Sequence, residues 1–115
     1  MYQGDEIHGE VSSADASGSG VAFAIYPSGS TGALTVGDKD YVVIHSITSL
    51  MSGSLTGLVA ADSDDDGERV APLPAGGQAV NLSPPFICPM GVTPKLIASG
   101  AGQADVVIQG HLQRS

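Results

Sequence analysis

Alternation of apolar and polar residues with a period of two is the dominant pattern in this sequence. No helix-length stretch places apolar side chains at positions i, i+3, i+4 and i+7 without a glycine or proline interrupting it. Short runs rich in Val and Ile recur instead, separated by Gly, Pro, Ser and Asp about every 8–12 residues. This spacing is typical of sandwiches and barrels, and it predicts a single all-β domain of about eight strands.

Two segments give the clearest strand predictions. Residues 41–51 form the longest run, and its first half is apolar on both faces, as in a strand that is covered on both sides. Residues 95–99 and 104–112 flank the loop 100–103 and predict a closing hairpin. On its second strand, one face is predicted to point into the core and comprises Val106, Ile108, Gly110 and Leu112.

The first 20 residues read differently from the rest. Residues 6–11 predict a short edge strand, and residues 12–20 (SSADASGSG) are small and polar, as in a linker. We therefore expect a flexible N-terminal arm over residues 1–20, either lying across a neighbouring molecule or disordered. The sandwich domain is expected to occupy residues 21–115.

The connections favour one kind of sandwich. Residues 72–77 and 84–85 carry prolines, which predict irregular backbone and connections long enough for strands to cross between sheets. The chain has no Trp and a single Cys, whereas immunoglobulin-like domains usually carry a core Trp and often a Cys pair. The sequence thus predicts a jelly-roll-like antiparallel β-sandwich.

Composition suggests that the domain assembles with other molecules. With only three Tyr and two Phe, the core must be built mostly from Val, Ile and Leu. A thin core in a chain of 115 residues gains from burying a second surface, so we expect a homo-oligomer, either a dimer or a trimer. The net charge is −8 and the four basic residues are scattered, which disfavours binding to nucleic acid or to an anionic membrane.

An acidic segment at residues 62–67 (DSDDDG) is the sharpest local motif. Asp62, Asp64 and Asp66 match the first half of a calcium loop, in which alternate carboxylates are followed by a glycine. The match fails at the twelfth loop position, where Leu73 replaces the usual Glu. A solvated hairpin tip and a calcium site outside the EF-hand class both remain open.

Other chemistry finds no support in the sequence. His8, His45 and His111 are far apart along the chain and match no zinc-binding spacing, and Cys88 lies in an apolar run that predicts a buried thiol. There is no nucleophile elbow and no phosphate-binding loop, so we expect neither an enzyme nor a resident cofactor. His45, within an apolar strand, is instead predicted to share an interface face with Tyr26, Tyr41 and Ile47.

Four segments together give a family resemblance: YVVIHSITSL, LTGLVAADSDDDGERV, LPAGGQAVNL and GVTPKLIASGAGQADVVIQGHL. This rhythm of strands, turns and a closing hairpin resembles the small jelly-roll capsid cement and decoration proteins of tailed bacteriophages. The resemblance implies a virion protein made in the host cytoplasm that binds the major capsid protein at the capsid surface. The acidic segment motivates an alternative, a calcium- or carbohydrate-binding module of a phage tail, fibre or cell surface.

Overall fold

Nine strands and no helix make up the part of the chain that the computed structural model describes, which comprises residues 5–18, 20–27, 32–61, 70–73 and 75–113. No helix in these ranges is long and apolar enough to cross a membrane. The strands in chain order are β1 (Asp5–Asp15), β2 (Val21–Ala22), β3 (Ala24–Pro27), β4 (Tyr41–Met51), β5 (Gly57–Ala60), β6 (Val70–Leu73), β7 (Gly76–Ile87), β8 (Lys95–Ala98) and β9 (Ala101–Gln113).

The strands form two antiparallel sheets packed as a sandwich. Sheet A has five strands in the order β3-β1-β9-β4-β7, and sheet B has four strands in the order β2-β8-β5-β6. Every strand pair is antiparallel. The predicted all-β sandwich is therefore confirmed, as are the predicted bounds of β4. The predicted closing hairpin is wrong, because β8 pairs with β2 and β5 in sheet B whereas β9 pairs with β1 and β4 in sheet A.

Aliphatic side chains fill the space between the sheets. Val106, Ile108 and Leu112 of β9 are at most 1% exposed, so the predicted core face of the last strand is confirmed. Phe23 is the one aromatic side chain among the buried core residues of the described part of the chain. The largest side chains with less than 2% exposure there are all aliphatic: Ile25, Ile44, Ile47, Leu96, Ile108 and Leu112.

The N-terminal segment differs from the expected flexible arm with an edge strand. β1 lies inside sheet A between β3 and β9, and its pairing with β9 runs from Asp5 to Asp15. Ile7 and Val11 are buried in the core with Gly9 between them on the same face. Residues 12–15 of the predicted linker belong to β1, because backbone pairing does not require large side chains, whereas residues 16–18 and 20 follow the strand.

The chain changes sheets at Phe23. Residues 21–26 (VAFAIY) alternate with Val21, Phe23 and Ile25 on one face and so predict a single strand. In the structure, β2 pairs with β8 in sheet B while β3 pairs with β1 in sheet A. Phe23 itself is 3% exposed, and its N–H donates to the carbonyl of Pro94 at 2.9 Å. Its buried ring thus lies where the polypeptide crosses from one sheet to the other.

β7 is longer than the prolines suggest. The sequence predicts irregular backbone over residues 72–77 and an end at residues 84–85, whereas β7 is a 12-residue strand. It is an outer strand of sheet A, and residues 82–85 lie opposite the single residue His45 of β4. Proline fits at a sheet edge and at such an irregularity because the ladder needs no N–H there.

Candidate functional site

A β-bulge in β4 determines which side chains share the outer face of sheet A. Ile44 pairs with Gly110 of β9 and Ser46 pairs with Gln109, so His45 is one extra residue in β4. His45 is exposed, and the alternation restarts after it with Ile47 on the core face at 2% exposure. The extra residue thus directs His45 outward and returns the strand to the core.

Close backbone contact at this bulge requires the glycine at position 110. A Cβ added to Gly110 would overlap the carbonyl oxygen of Val43 and would lie 3.1 Å from the Cα of Ile44. No side chain fits such an approach without backbone movement. The sequence therefore encodes the bulge partly in β9, on the strand opposite to it.

Two histidines meet beside the bulge. The Nε2 atom of His45 lies 2.9 Å from the Nδ1 atom of His111, and the ring centroids are 5.0 Å apart with an interplanar angle of 31°. One nitrogen must carry the hydrogen and the other must accept it, so at least one ring is neutral in this contact. Burial of His111, and secondly the charge of His45, lower the pKa of His111 below its ordinary value, while a hydrogen bond with Gln113 opposes this shift.

The strand register adds a third histidine and a carboxylate. Glu6 of β1 is the cross-strand partner of His111, and His8 is the partner of Gln109 on one side and of Tyr26 on the other. The rings of His8 and Tyr26 stack with centroids 5.3 Å apart. Three strands therefore bring all three histidines to one surface, which we call the histidine face and define as Glu6, His8, His45, Gln109 and His111.

A cavity of about 420 Å³ opens on this surface, lined by Glu6, Ile7, His8, His45, Ser46, Gln109 and Gly110. Ser46 donates a hydrogen bond to the Oε1 atom of Gln109 at 3.3 Å. The lining offers a carboxylate, imidazoles, a hydroxyl and an amide, which can form hydrogen bonds, exchange a proton or donate nitrogen to a metal. Within the described ranges, no group of three or more His, Cys, Asp or Glu side chains is arranged to hold a metal ion.

The residues predicted from the sequence fall into three groups. Tyr26 and Tyr41 are half-buried and His45 is exposed, all three on the outer face of sheet A, where their role in an interface stays a prediction. Ile47 lies on the opposite face, in the core, because the bulge reverses the alternation between it and His45. The predicted calcium ligands lie outside the described residues: Asp62, Asp64 and Asp66.

Apolar side chains are exposed near the β7 side of sheet A. Leu50 of β4 is 60% exposed, Val80 and Ile87 of β7 are 36% and 49% exposed, and Met90 just after β7 is 55% exposed. The sequence of β7, GGQAVNLSPPFI, contains no charged residue. Leu50 points to the outer face, whereas Val80 pairs with the core residue Ile47 and so lies on the inner face, where it is exposed at the margin of the sheet. We call this margin of sheet A, with both of its faces, the β7 edge and define it by Leu50, Val80, Ile87 and Met90.

Sequence reasoning missed the partnership of His8, His45 and His111, since their spacing along the chain matches no motif. The available signal was weak: alternation along β9 puts His111 on the face opposite to the predicted core face of Val106, Ile108, Gly110 and Leu112. No protein-family model, curated protein or solved structure matches this chain.

Proposed function

We propose that this chain is a jelly-roll protein that decorates or cements a phage capsid, and that it docks on the capsid protein through the β7 edge. The observation that carries the proposal is an outer strand without charges, combined with four exposed large apolar side chains on that strand or next to it. Soluble proteins usually blunt such edges with charged residues, because an open edge invites another strand to pair with it. The prolines and the register shift at residues 82–85 interrupt the second half of this edge, whereas residues 76–81 contain neither a charge nor a proline and are suited to assembly.

The strand order supports the jelly-roll part of the proposal. With β3 set aside as an added outer strand, sheet A reads β1-β9-β4-β7 and sheet B reads β2-β8-β5-β6. Consecutive strands β4 and β5, β6 and β7, and β8 and β9 lie in opposite sheets, as expected when a pair of long strands is rolled into a sandwich. Virus capsid domains are among the proteins built in this way.

Charge and composition support assembly with a partner. The chain carries a net charge of −8, so free copies repel each other in solution, but β7 itself contributes nothing to that repulsion. A second molecule can therefore approach this strand without a penalty from like charges on it. A homo-oligomer, dimer or trimer, on the capsid surface is supported separately by the thin core, which gains from the burial of a second surface.

The test is a binding assay with phage heads assembled without this chain. The purified protein is expected to bind them saturably, and Leu50→Asp and Val80→Asp should each abolish binding, since a buried unpaired charge is costly at an interface. Ala22→Asp is the matched control, because Ala22 is exposed on β2 of sheet B and faces Lys95 across the ladder. Binding that survives both β7-edge variants, or no binding at all, contradicts the proposal.

The cavity on the histidine face favours a second candidate, a carbohydrate-binding module. Its lining of Glu6, His8, Ser46 and Gln109 provides several hydrogen-bonding groups, and Tyr26 adds an aromatic ring next to His8. Sugars are recognised by such polar groups together with ring stacking. A glycan array tests this function: a specific glycan whose binding is lost in Gln109→Ala favours it over capsid docking.

Calcium binding by Asp62, Asp64 and Asp66 stays a prediction from the sequence. Calorimetric titration with CaCl₂ is the direct test, because binding by several carboxylates produces heat and raises the melting temperature. If the titration produces no heat and the melting temperature does not change, calcium binding at this segment is contradicted.

A further inference from the structure

Two imidazole nitrogens converge at the edge of the cavity on the histidine face. His45 Nε2 and His111 Nδ1 are 2.9 Å apart, and His45 lines the cavity directly. One ring is on a bulged residue of β4 and the other on the adjacent strand β9, so neither position depends on a loop. Groups held by paired strands keep their geometry better than groups on loops.

We propose that His45 and His111 bind a divalent transition-metal ion, with water completing its coordination. The ion belongs to the class that imidazole nitrogen prefers, which includes Cu²⁺, Ni²⁺ and Zn²⁺ and excludes the oxygen-seeking Ca²⁺ and Mg²⁺. Two protein ligands agree with the absence of a three-ligand group in the described ranges. This inference does not depend on the proposed function.

The spacing of the two nitrogens suits one ion. With metal–nitrogen bonds of about 2.0–2.1 Å, nitrogens about 2.9 Å apart subtend an angle of roughly 90° at the metal. That is the angle between neighbouring ligands in the tetragonal and square-planar geometries of Cu²⁺ and Ni²⁺. A tetrahedral Zn²⁺ ion needs the nitrogens to separate to roughly 3.3 Å, so we expect affinity in the order Cu²⁺, Ni²⁺, Zn²⁺.

The surroundings favour a cation, which would replace the hydrogen bond between the two rings. The hydrogen that lies between the rings moves to the other nitrogen of its own ring, His45 Nδ1 or His111 Nε2, so that both imidazoles bind as neutral ligands. Glu6, directly across the ladder from His111, brings a negative charge to the site, and the remaining neighbours Ser46, Gln109 and Gln113 are uncharged. His8 is the other titratable group lining this cavity within the described residues.

The experiment is calorimetric titration of the full chain with CuCl₂, NiCl₂ and ZnCl₂ at pH 7.5, with copper spectra recorded in parallel. One ion should bind per chain, with the spectrum of Cu²⁺ bound by nitrogen ligands. His45→Gln and His111→Gln should each weaken Cu²⁺ binding by about tenfold or more, because a two-point chelate becomes a single contact. The double variant should be little worse than either single variant.

His8→Gln is the matched control, since His8 lines the same cavity but stacks on Tyr26. It should retain the affinity of the unmodified chain for Cu²⁺, and excess CaCl₂ should not compete. Affinity should fall as the pH drops from 7.5 to 5.5, because protons compete for both nitrogens.

Three results would overturn the assignment. The first is that the unmodified chain binds Cu²⁺ no more tightly than the single variants do. The second is that His8→Gln loses as much affinity for Cu²⁺ as they do, and the third is that Ca²⁺ displaces Cu²⁺. Thermal melts of each variant without metal establish that it is folded; because His45 is exposed, His45→Gln alone decides the outcome if His111→Gln melts early.

Discussion

The two faces of sheet A are made by the same strands but obey different constraints. On the inner face, residues such as Ile44, Ile108 and Leu112 are almost completely buried, and each contributes to the core that holds the two sheets together. On the outer face, cross-strand pairs such as Glu6 with His111 and His8 with Gln109 remain half-buried or exposed. The inner face specifies the fold, whereas the outer face carries side chains that the fold does not require.

Adjacent residues of β9 test this contrast most directly, and the expected difference is the largest. Ile108→Ala should lower the free energy of unfolding by about 2–5 kcal/mol, because it removes buried methyl groups and leaves a cavity. Val107→Ala, on the outer face of the same strand, should cost less than about 1 kcal/mol. Chemical denaturation measures both, and equal losses would mean that the two faces are not distinct.

Gly110→Ala tests the point where the bulge in β4 presses against β9. The new methyl group would overlap the carbonyl oxygen of Val43, so we expect a loss of about 3 kcal/mol. Gly100→Ala is the control, because a Cβ added there meets nothing within 4 Å. A Gly110→Ala protein as stable as the Gly100→Ala protein would contradict the close approach of the two strands.

Ser49 is a polar residue on the inner face. Its replacement by alanine is expected to stabilise the protein, unlike the two substitutions above, and by a smaller amount. Its side chain is 3% exposed, and its hydroxyl has no hydrogen-bond partner among the described residues. Ser49→Ala should therefore raise the free energy of unfolding by about 1 kcal/mol. Ser46→Ala, which removes an outer-face hydroxyl bonded to Gln109, should change stability by at most about 0.5 kcal/mol in the destabilising direction. A destabilising Ser49→Ala would reveal a partner for the hydroxyl.

The smallest expected effect is a pH dependence at His111. Its pKa in the folded chain lies below the ordinary value of 6.5, so the unfolded chain binds more protons between the two values and stability falls as the pH drops below 6.5. As the pH drops below 6.5, we expect Tm to decrease by a few degrees at most. This decrease should be absent in His111→Gln and should persist in His8→Gln. The pKa values of Asp15 and Asp105 are lowered from 3.8 by hydrogen bonds, so these carboxyls titrate outside this window. If Tm depends on pH in the same way in His111→Gln as in the unmodified chain, the pH dependence does not arise from His111.

The sequence predicts those parts of the fold that depend on local pattern. The bounds of β4 and the core face of β9 follow from alternation, and Cys88 is buried as its apolar neighbours suggest. The segment containing β1 is harder to predict, because its small polar residues resemble a linker until β9 pairs with them. The length of β7 is also hard to predict, because its prolines indicate a strand end. β7 accommodates them because it is an outer strand of the sheet.

The histidine face lies beyond what the sequence can predict. Its assembly depends on the register of β1, β9 and β4 and on one extra residue at His45, and a single slip in register would turn each side chain to the opposite face. The same extra residue is why Ile47 belongs to the core and not to the surface with His45. A period of two read from the sequence contains no information about where such an insertion occurs.

The central position of β9 has a consequence for synthesis on the ribosome. β1 and β4 both pair with this strand, and the ladder between β1 and β9 joins residues about as far apart as the chain allows. Sheet A therefore cannot form completely until residues 101–113 have left the exit tunnel. Until then β1 and β4 lack the strand that pairs with both of them. Such non-local pairing slows folding and leaves nascent chains prone to aggregation, so chains that stop before β9 should accumulate as insoluble material.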